Sequence, residues 1–167
     1  DAEGNTVMQG SADIAVHVGT LHFQAKAVLE EFGDDINPGD VFMINDPYRG
    51  GTHFNDVSFI RPIFSEGEVI AYAQNKGHWA DIGGVVPGSF FVNAKDHFGE
   101  GVRIPPVRVF SKGEFLHDVA QLVVSNTRAP EMAMGDLHAQ SEATAVCERE
   151  ILRLVDRYGK QTVVDAM

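Results

Sequence analysis

Apolar residues recur at helical spacing from Leu21 to Phe32, with Leu21, Ala25, Val28, Leu29 and Phe32 on one stripe and Gly33 placed as a stop. The pattern then changes. Asp34-Asp35 and Asn37-Pro38-Gly39-Asp40 read as a turn, and the short apolar run Val41 to Ile44 reads as a buried strand. Two further strand-like runs, Val57 to Phe64 and Val69 to Asn75, flank Ser65-Glu66-Gly67, a hairpin signal. Neither run alternates cleanly between apolar and polar positions, so both faces of this hairpin are expected to be covered. Downstream, residues 85–106 are irregular and rich in Gly and Pro, followed by a short strand over Val107 to Phe110 and a turn at Ser111-Lys112-Gly113. A helix is predicted over Leu116 to Asn126, with Leu116, Val119, Ala120, Val123 and Val124 inward and Arg128-Ala129-Pro130 as its break. A last long helix, Met134 to Tyr158, carries Leu137, Ala145, Ile151, Leu152 and Val155 on its apolar stripe and ends at Gly159. No internal repeat, linker or low-complexity tract divides the chain. The expected fold is a single α+β domain with a β-hairpin in an antiparallel sheet and flanking amphipathic helices, part of a larger subunit.

The densest chemistry lies between and beyond the hairpin strands. Asn45-Asp46-Pro47-Tyr48-Arg49-Gly50-Gly51-Thr52-His53-Phe54-Asn55-Asp56 is echoed by Gly77-His78-Trp79-Ala80-Asp81-Ile82-Gly83-Gly84. Each half sets a histidine and an aspartate beside paired glycines. Two imidazoles and a carboxylate suit zinc, manganese or iron, and three protein ligands leave positions open for water and substrate. His53, Asp56 and His78 are therefore expected to form one site for a divalent metal. Strand geometry supports part of this. With a three-residue loop over Ser65 to Gly67, Phe64 faces Glu68 and Asp56 faces Lys76, so Asp56 and His78 share a face through the period of two. His53 lies an odd number of positions from Asp56 and joins them only if the backbone turns between the two.

Asp46 and Asp81 are the next candidates as catalytic groups: Asp46 before Pro47 fits a role at the site or a simple turn, and Asp81 is open to three roles, binding a second metal, orienting a ligand imidazole or acting as a general base on bound water. Trp79 is expected to pack. His17, His22, His97, His117 and His138 show no partner spacing and are assigned surface or core roles. Gly50-Gly51 and Gly83-Gly84 lack the Gly-Lys-Ser or Gly-Lys-Thr that a phosphate-cradling loop requires, so a complete ATP site within the chain is not expected.

The totals narrow the partners. The chain has 167 residues, 44% of them hydrophobic, and a formal charge of −11. That size supports one well-packed core, and that charge repels nucleic-acid phosphates and anionic membranes. The single cysteine, Cys147, has helical surroundings with no activating base, and its use suits a reducing cytosol, so a cytoplasmic location is expected. The sequence begins at Asp1 in a turn-like run, which reads as a segment of a longer subunit.

Three blocks together resemble the hydantoinase B/oxoprolinase family. They are Asn45-Asp46-Pro47-Tyr48 through Asp56; Gly77 through Gly84 with Pro87-Gly88-Ser89; and Glu100-Gly101-Val102-Arg103-Ile104-Pro105-Pro106. Asn126-Thr127-Arg128-Ala129-Pro130-Glu131 and Gly135-Asp136-Leu137-His138-Ala139-Gln140 extend the likeness over nearly the whole chain. The resemblance implies a metal-dependent enzyme segment acting on a small cyclic amide such as a hydantoin, lactam or oxoproline. It implies a hetero-oligomer in which a hydantoinase A-type partner subunit binds ATP and phosphorylates the substrate. It places the metal ligands on a His-x-x-Asp pair and a later His, matching His53, Asp56 and His78, with one more acidic ligand from farther upstream. Asn93-Ala94-Lys95-Asp96-His97-Phe98 departs from the Thr-Glu-Ile pattern of the family. Carboxylases of acetone and acetophenone share the same resemblance, so a carboxylase subunit is the alternative enzyme, and a noncatalytic assembly module the alternative outside catalysis.

Overall fold

The structure, a computed structural model, describes residues 1–11 and 13–167. Five antiparallel strands form one sheet in the order β3-β2-β1-β4-β5: β1 is Val41–Ile44, β2 Asp56–Ser65, β3 Glu68–His78, β4 Val107–Ser111 and β5 Glu114–Phe115. Two helices open the chain, the single-turn α1 (Ala15–Val18) and α2 (Leu21–Phe32); α3 (His117–Val124), α4 (Pro130–Tyr158) and α5 (Lys160–Asp165) close it.

Both faces of the sheet are covered, as the missing alternation implied. Val28 and Ala27 of α2 pack with Phe42, Ile44 and Ile60 on one face. Val41, Met43, Val57 and Phe59 meet Ala120, Val123, Val124 and Leu137 of α3 and α4 on the other. Every residue of β1 is buried. Buried on both sides, that strand has no polar face, which is why its sequence is a continuous apolar run.

The hairpin differs from the sequence expectation in a way that matters for the site. Its turn has two residues, because Ser65 pairs with Glu68. Glu66 and Gly67 both take positive φ, 54° and 83°, the handedness that matches strand twist in two-residue hairpins. Farther on, Phe64 pairs with Val69 but Ile63 with Ala71, leaving Ile70 as an extra residue bulged out of β3. Turn and bulge each move the register by one residue. Together they bring Asp56 opposite His78 and Ser58 opposite Lys76, so the expected pairing of Asp56 with Lys76 is corrected while the shared face is kept.

Other boundaries also shift. Pro130 begins α4 at its first turn, where a missing N–H removes no helical bond, although the sequence reading made it a break. The strand β5, the helices α1 and α5 and the short 3-10 turns were not expected. Gly33 and Gly159 cap their helices as predicted, their N–H groups donating to Leu29 and Val155. Among the described residues no helix is long and apolar enough to cross a membrane.

The turn chemistry gives a stability test. Glu66 sits in a left-handed conformation that Asn tolerates better than Glu. Glu66→Asn should stabilise the protein by about 0.5–1 kcal/mol, read as a higher urea midpoint at unchanged slope; an unchanged or lower midpoint would contradict the turn geometry.

Candidate metal centre

The hairpin delivers two of the three candidate ligands and a loop delivers the third. Asp56 and His78 face each other at the open end of β2 and β3. His53 stands in the preceding turn, which closes through the Asp56 N–H donating to the His53 carbonyl at 2.9 Å. This turn is the reversal that the odd spacing demanded. One ligand atom from each of His53, Asp56 and His78 lies within 4.8 Å of the others. Three ligands at about 2.1 Å from a shared ion in a tetrahedral arrangement stand about 3.4 Å apart, so closure on a cation asks the ligand atoms to draw together by up to about 1.4 Å. The donor set, two imidazoles and a carboxylate, fits a divalent ion of the zinc, manganese or iron kind.

The local chain makes this arrangement in recognisable steps. Asp46 caps the 3-10 turn Pro47–Arg49 by accepting from the Tyr48 N–H. Gly50 follows with φ of 89°, and a Cβ there would collide with Phe23 of α2, so only glycine lets the loop lie against that helix. Asn45, fully buried, donates from Nδ2 to the carbonyls of Phe54 (2.6 Å) and Val102 (2.9 Å) and accepts from the Ile104 N–H at 2.6 Å. It ties the two irregular segments to the end of β1. Asn55 and Trp79 extend the β2 and β3 pairing past the ligands, with the Trp79 N–H donating to the Asn55 carbonyl at 2.8 Å and Asn55 Nδ2 to the Trp79 carbonyl at 2.8 Å.

Support from behind comes from α4. Gln140 Nε2 donates to the Val57 carbonyl (2.9 Å) and to Asn75 Oδ1 (3.0 Å), while its Oε1 accepts from the Trp79 indole N–H at 2.7 Å. Gly77 makes room for it: a Cβ at that position would lie 2.8 Å from Gln140 Nε2. The buried Trp79 is thus a packing residue, as expected.

Around Asp56 the polar contacts converge. His78 Nδ1 lies 2.7 Å from Asp56 Oδ1, Thr52 donates its hydroxyl to Oδ2, and His17 Nε2 lies 3.3 Å from Oδ1. Burial pushes the Asp56 carboxyl upward, yet the hydrogen bonds from Thr52 and His78 and the charges of His17 and His78 outweigh it and hold the group below the usual carboxylate range. Lys76, two residues before His78, donates to Thr20 Oγ1 at 2.7 Å; burial pulls its ammonium down to about 8, against the opposing pull of Asp56. The His53 and His78 rings stack at 5.7 Å, and the exposed Phe90 meets His53 edge-on at 5.7 Å.

Asp46 and Asp81 stand apart from this cluster. Asp81 accepts from the backbone N–H groups of Gly83 (2.8 Å), Gly88 (3.0 Å) and Arg128 (2.9 Å) and from the Arg128 guanidinium at 3.1 Å. Asp46 has the Tyr48 N–H at 3.0 Å and Arg103 Nε at 3.8 Å. His22, His97, His117 and His138 pack against aromatic neighbours. His17 was assigned no site role, and nothing in its spacing marks it: it reaches Asp56 only because α1 folds back over the hairpin.

The sequence profile of the hydantoinase B/oxoprolinase family matches residues 1–167. The chain belongs to that family. It is 42% identical over 157 residues to the caprolactamase subunit beta of Pseudomonas jessenii, covering 94% of this chain and 27% of that protein. Its fold superposes on the crystal structure of the ATP-dependent caprolactamase of that organism with a TM-score of 0.86 at 41% identity, covering 90% of this chain and 26% of the other. A nucleotide-free structure of acetone carboxylase is also similar, with a TM-score of 0.84 at 26% identity over 90% of this chain and 20% of that one. The chain therefore spans about a quarter of the length of the relatives it matches. The α+β unit described above is the part this chain has in common with those two structures.

The Asp81 network carries a pH signature. Burial raises the Asp81 carboxyl, but its backbone donors and Arg128 outweigh that and leave it below its usual range. A depressed carboxylate stabilises the fold fully above its unfolded value, about 4, and that contribution is lost as pH falls through the lower folded value. Asp81→Asn should cost about 2–3 kcal/mol at neutral pH and make stability fall less steeply below about pH 4. Denaturant titrations across pH check both; an unaltered acid slope would remove Asp81 from this account.

Proposed function

We propose that the chain is the metal-bearing segment of an ATP-dependent hydrolase that opens a cyclic amide, in concert with a hydantoinase A-type partner subunit that uses ATP to activate the substrate. The convergence of His53, Asp56 and His78 within 4.8 Å carries this reading, and the 42% identity to a caprolactamase subunit supports it. The glycine pairs at residues 50–51 and 83–84 lack the lysine of a phosphate-binding loop, consistent with ATP being handled elsewhere in the assembly. A cytoplasmic hetero-oligomer follows from the same reading.

In this proposal His53 and His78, as neutral imidazoles, and the Asp56 carboxylate hold the cation. Zinc, manganese or iron is the class their chemistry suits. Once bound, the cation supplies Lewis-acid polarisation of a substrate oxygen and acidification of water. Thr52 fixes the Asp56 carboxylate from the side of Oδ2. Phe90 screens the His53 edge from water, and Lys76 adds a positive charge along the same face of β3 that suits an anionic, activated substrate. Asp46 remains the acid with an incompletely occupied oxygen and is proposed to accept or donate the proton. Asp81, with four donors on its carboxylate, holds the loop that runs to Phe90; the proton role expected for it is proposed to fall to Asp46.

The likeness to acetone carboxylase favours one alternative, a carboxylase subunit acting on a ketone, in which His53, Asp56 and His78 would hold the same cation and it would supply positive charge beside the ketone oxygen. Assays with ATP and the partner subunit, on a lactam and on a ketone with bicarbonate, separate the two. In either assay His53→Ala and His78→Ala should lower kcat at least about 100-fold and abolish stoichiometric metal uptake, with Asp46→Asn lowering kcat about 100-fold at normal metal content. Activity that survives loss of both histidines would overturn the metal reading.

A further inference from the structure

Asp56 is held from both carboxylate oxygens, and one of its partners comes from a part of the chain far outside the ligand motifs. Thr52 donates to Oδ2. On Oδ1, His78 is joined by His17, whose Nε2 lies 3.3 Å away and whose side chain is only 16% exposed. That shielding strengthens an electrostatic contact that would count for little in open water.

The imidazole of His17 is itself braced. The Thr20 hydroxyl donates back to the His17 carbonyl (3.0 Å) and the Val16 carbonyl (3.2 Å), capping the single turn of α1. The same hydroxyl accepts from Lys76 Nζ at 2.7 Å, which anchors the junction of α1 and α2 to β3 two ladder pairs away from His78. His17 therefore reaches Asp56 from a fixed platform. Among the described residues the 4.8 Å ligand cluster comprises His53, Asp56 and His78 and leaves His17 outside. Its Nε2 faces the carboxylate oxygen Oδ1.

We propose that His17 is a positioning residue for the metal site: it donates Nε2–H to Asp56, orients the carboxylate toward the cation and ties α1 to the occupancy of the site. The inference rests on the metal reading above. His78 and Asp56 now face each other across a hydrogen bond, and that bond is lost when the lone pairs of both turn to a cation. His17 and Thr52 are then the donors left to hold Asp56 in place. Hydrogen-bonded partners of this kind change metal affinity by about 10–100-fold when removed, because an unheld carboxylate samples orientations in which it does not bind.

The test is made on the full-length protein with Mn²⁺ and Zn²⁺ as probes, by chelator competition and calorimetry. His17→Ala should weaken binding about 10–100-fold at an unchanged stoichiometry, and His17→Gln, which retains an N–H donor, should recover part of the loss. His22→Ala, on the neighbouring helix, should bind like the wild type. Metal should slow amide exchange in residues 14–20 of the wild type and leave it unchanged in His17→Ala. Wild-type affinity in His17→Ala, with binding abolished in His53→Ala, would overturn the His17 assignment alone. A wild-type protein whose metal binding is indifferent to His53→Ala would overturn the metal reading and this inference together. A changed visible spectrum of the Co²⁺-loaded His17→Ala variant would make His17 a direct ligand and also overturn the positioning role. Should His17→Ala fail to fold, the His17→Gln affinity and the exchange behaviour of the wild type decide.

Discussion

The site depends on the pairing of Asp56 with His78 across the open end of the hairpin. Side chains alternate between the faces of a strand, so a register error of one residue would send His78 toward α4 and leave Asp56 alone on the α2 side. The pairing is set at the far end of the hairpin. The two-residue turn at Glu66-Gly67 offsets the strands once and the bulged Ile70 offsets them again, and only the sum of the two restores a common face. Gln140 then locks the near end by bonding Val57, Asn75 and Trp79. The layered core of α2, sheet and α4 holds the turn and the lock in one frame.

Much of this could be read from the residues, and the gaps have definite causes. The stripes of α2 and α4 and the apolar run of β1 stood out because burial on one face or on both imposes a period or its absence. The convergence of Asp56 with His78 was anticipated through a loop one residue too long, and it survived because the unforeseen bulge added a second one-residue shift, which restores the face. A bulge leaves no mark in an apolar run such as Val69 to Ala71, since every residue there tolerates a strand. Pro130 was read as a breaker, yet the same rigid ring begins a helix as readily as it ends one. His17 escaped notice because its partnership with Asp56 is tertiary, created by the fold of α1 over the hairpin, with no spacing to reveal it.

The two expected acids show how similar motifs can diverge. Asp56 and Asp81 each follow a histidine by three positions, which invited parallel roles. Their surroundings differ. Asp56 is met by side chains, those of Thr52, His78 and His17. Asp81 is met mainly by backbone N–H groups and Arg128, donors that define loop shape. A carboxylate wrapped in main-chain donors fixes the path of a loop, whereas one met by side chains joins separate elements of the fold.

The location of the ligands at the open mouth of the hairpin has a kinetic side. Strand pairs fray from their open ends, and Asp56 and His78 stand at the end of β2 and β3 away from the turn, with Asn55 and Trp79 continuing the pairing one step beyond them. A cation gripped there would act as a clasp, assembled only after the whole ladder has closed and then resisting its reopening. Loading of the site would in that way report that folding of this segment is complete.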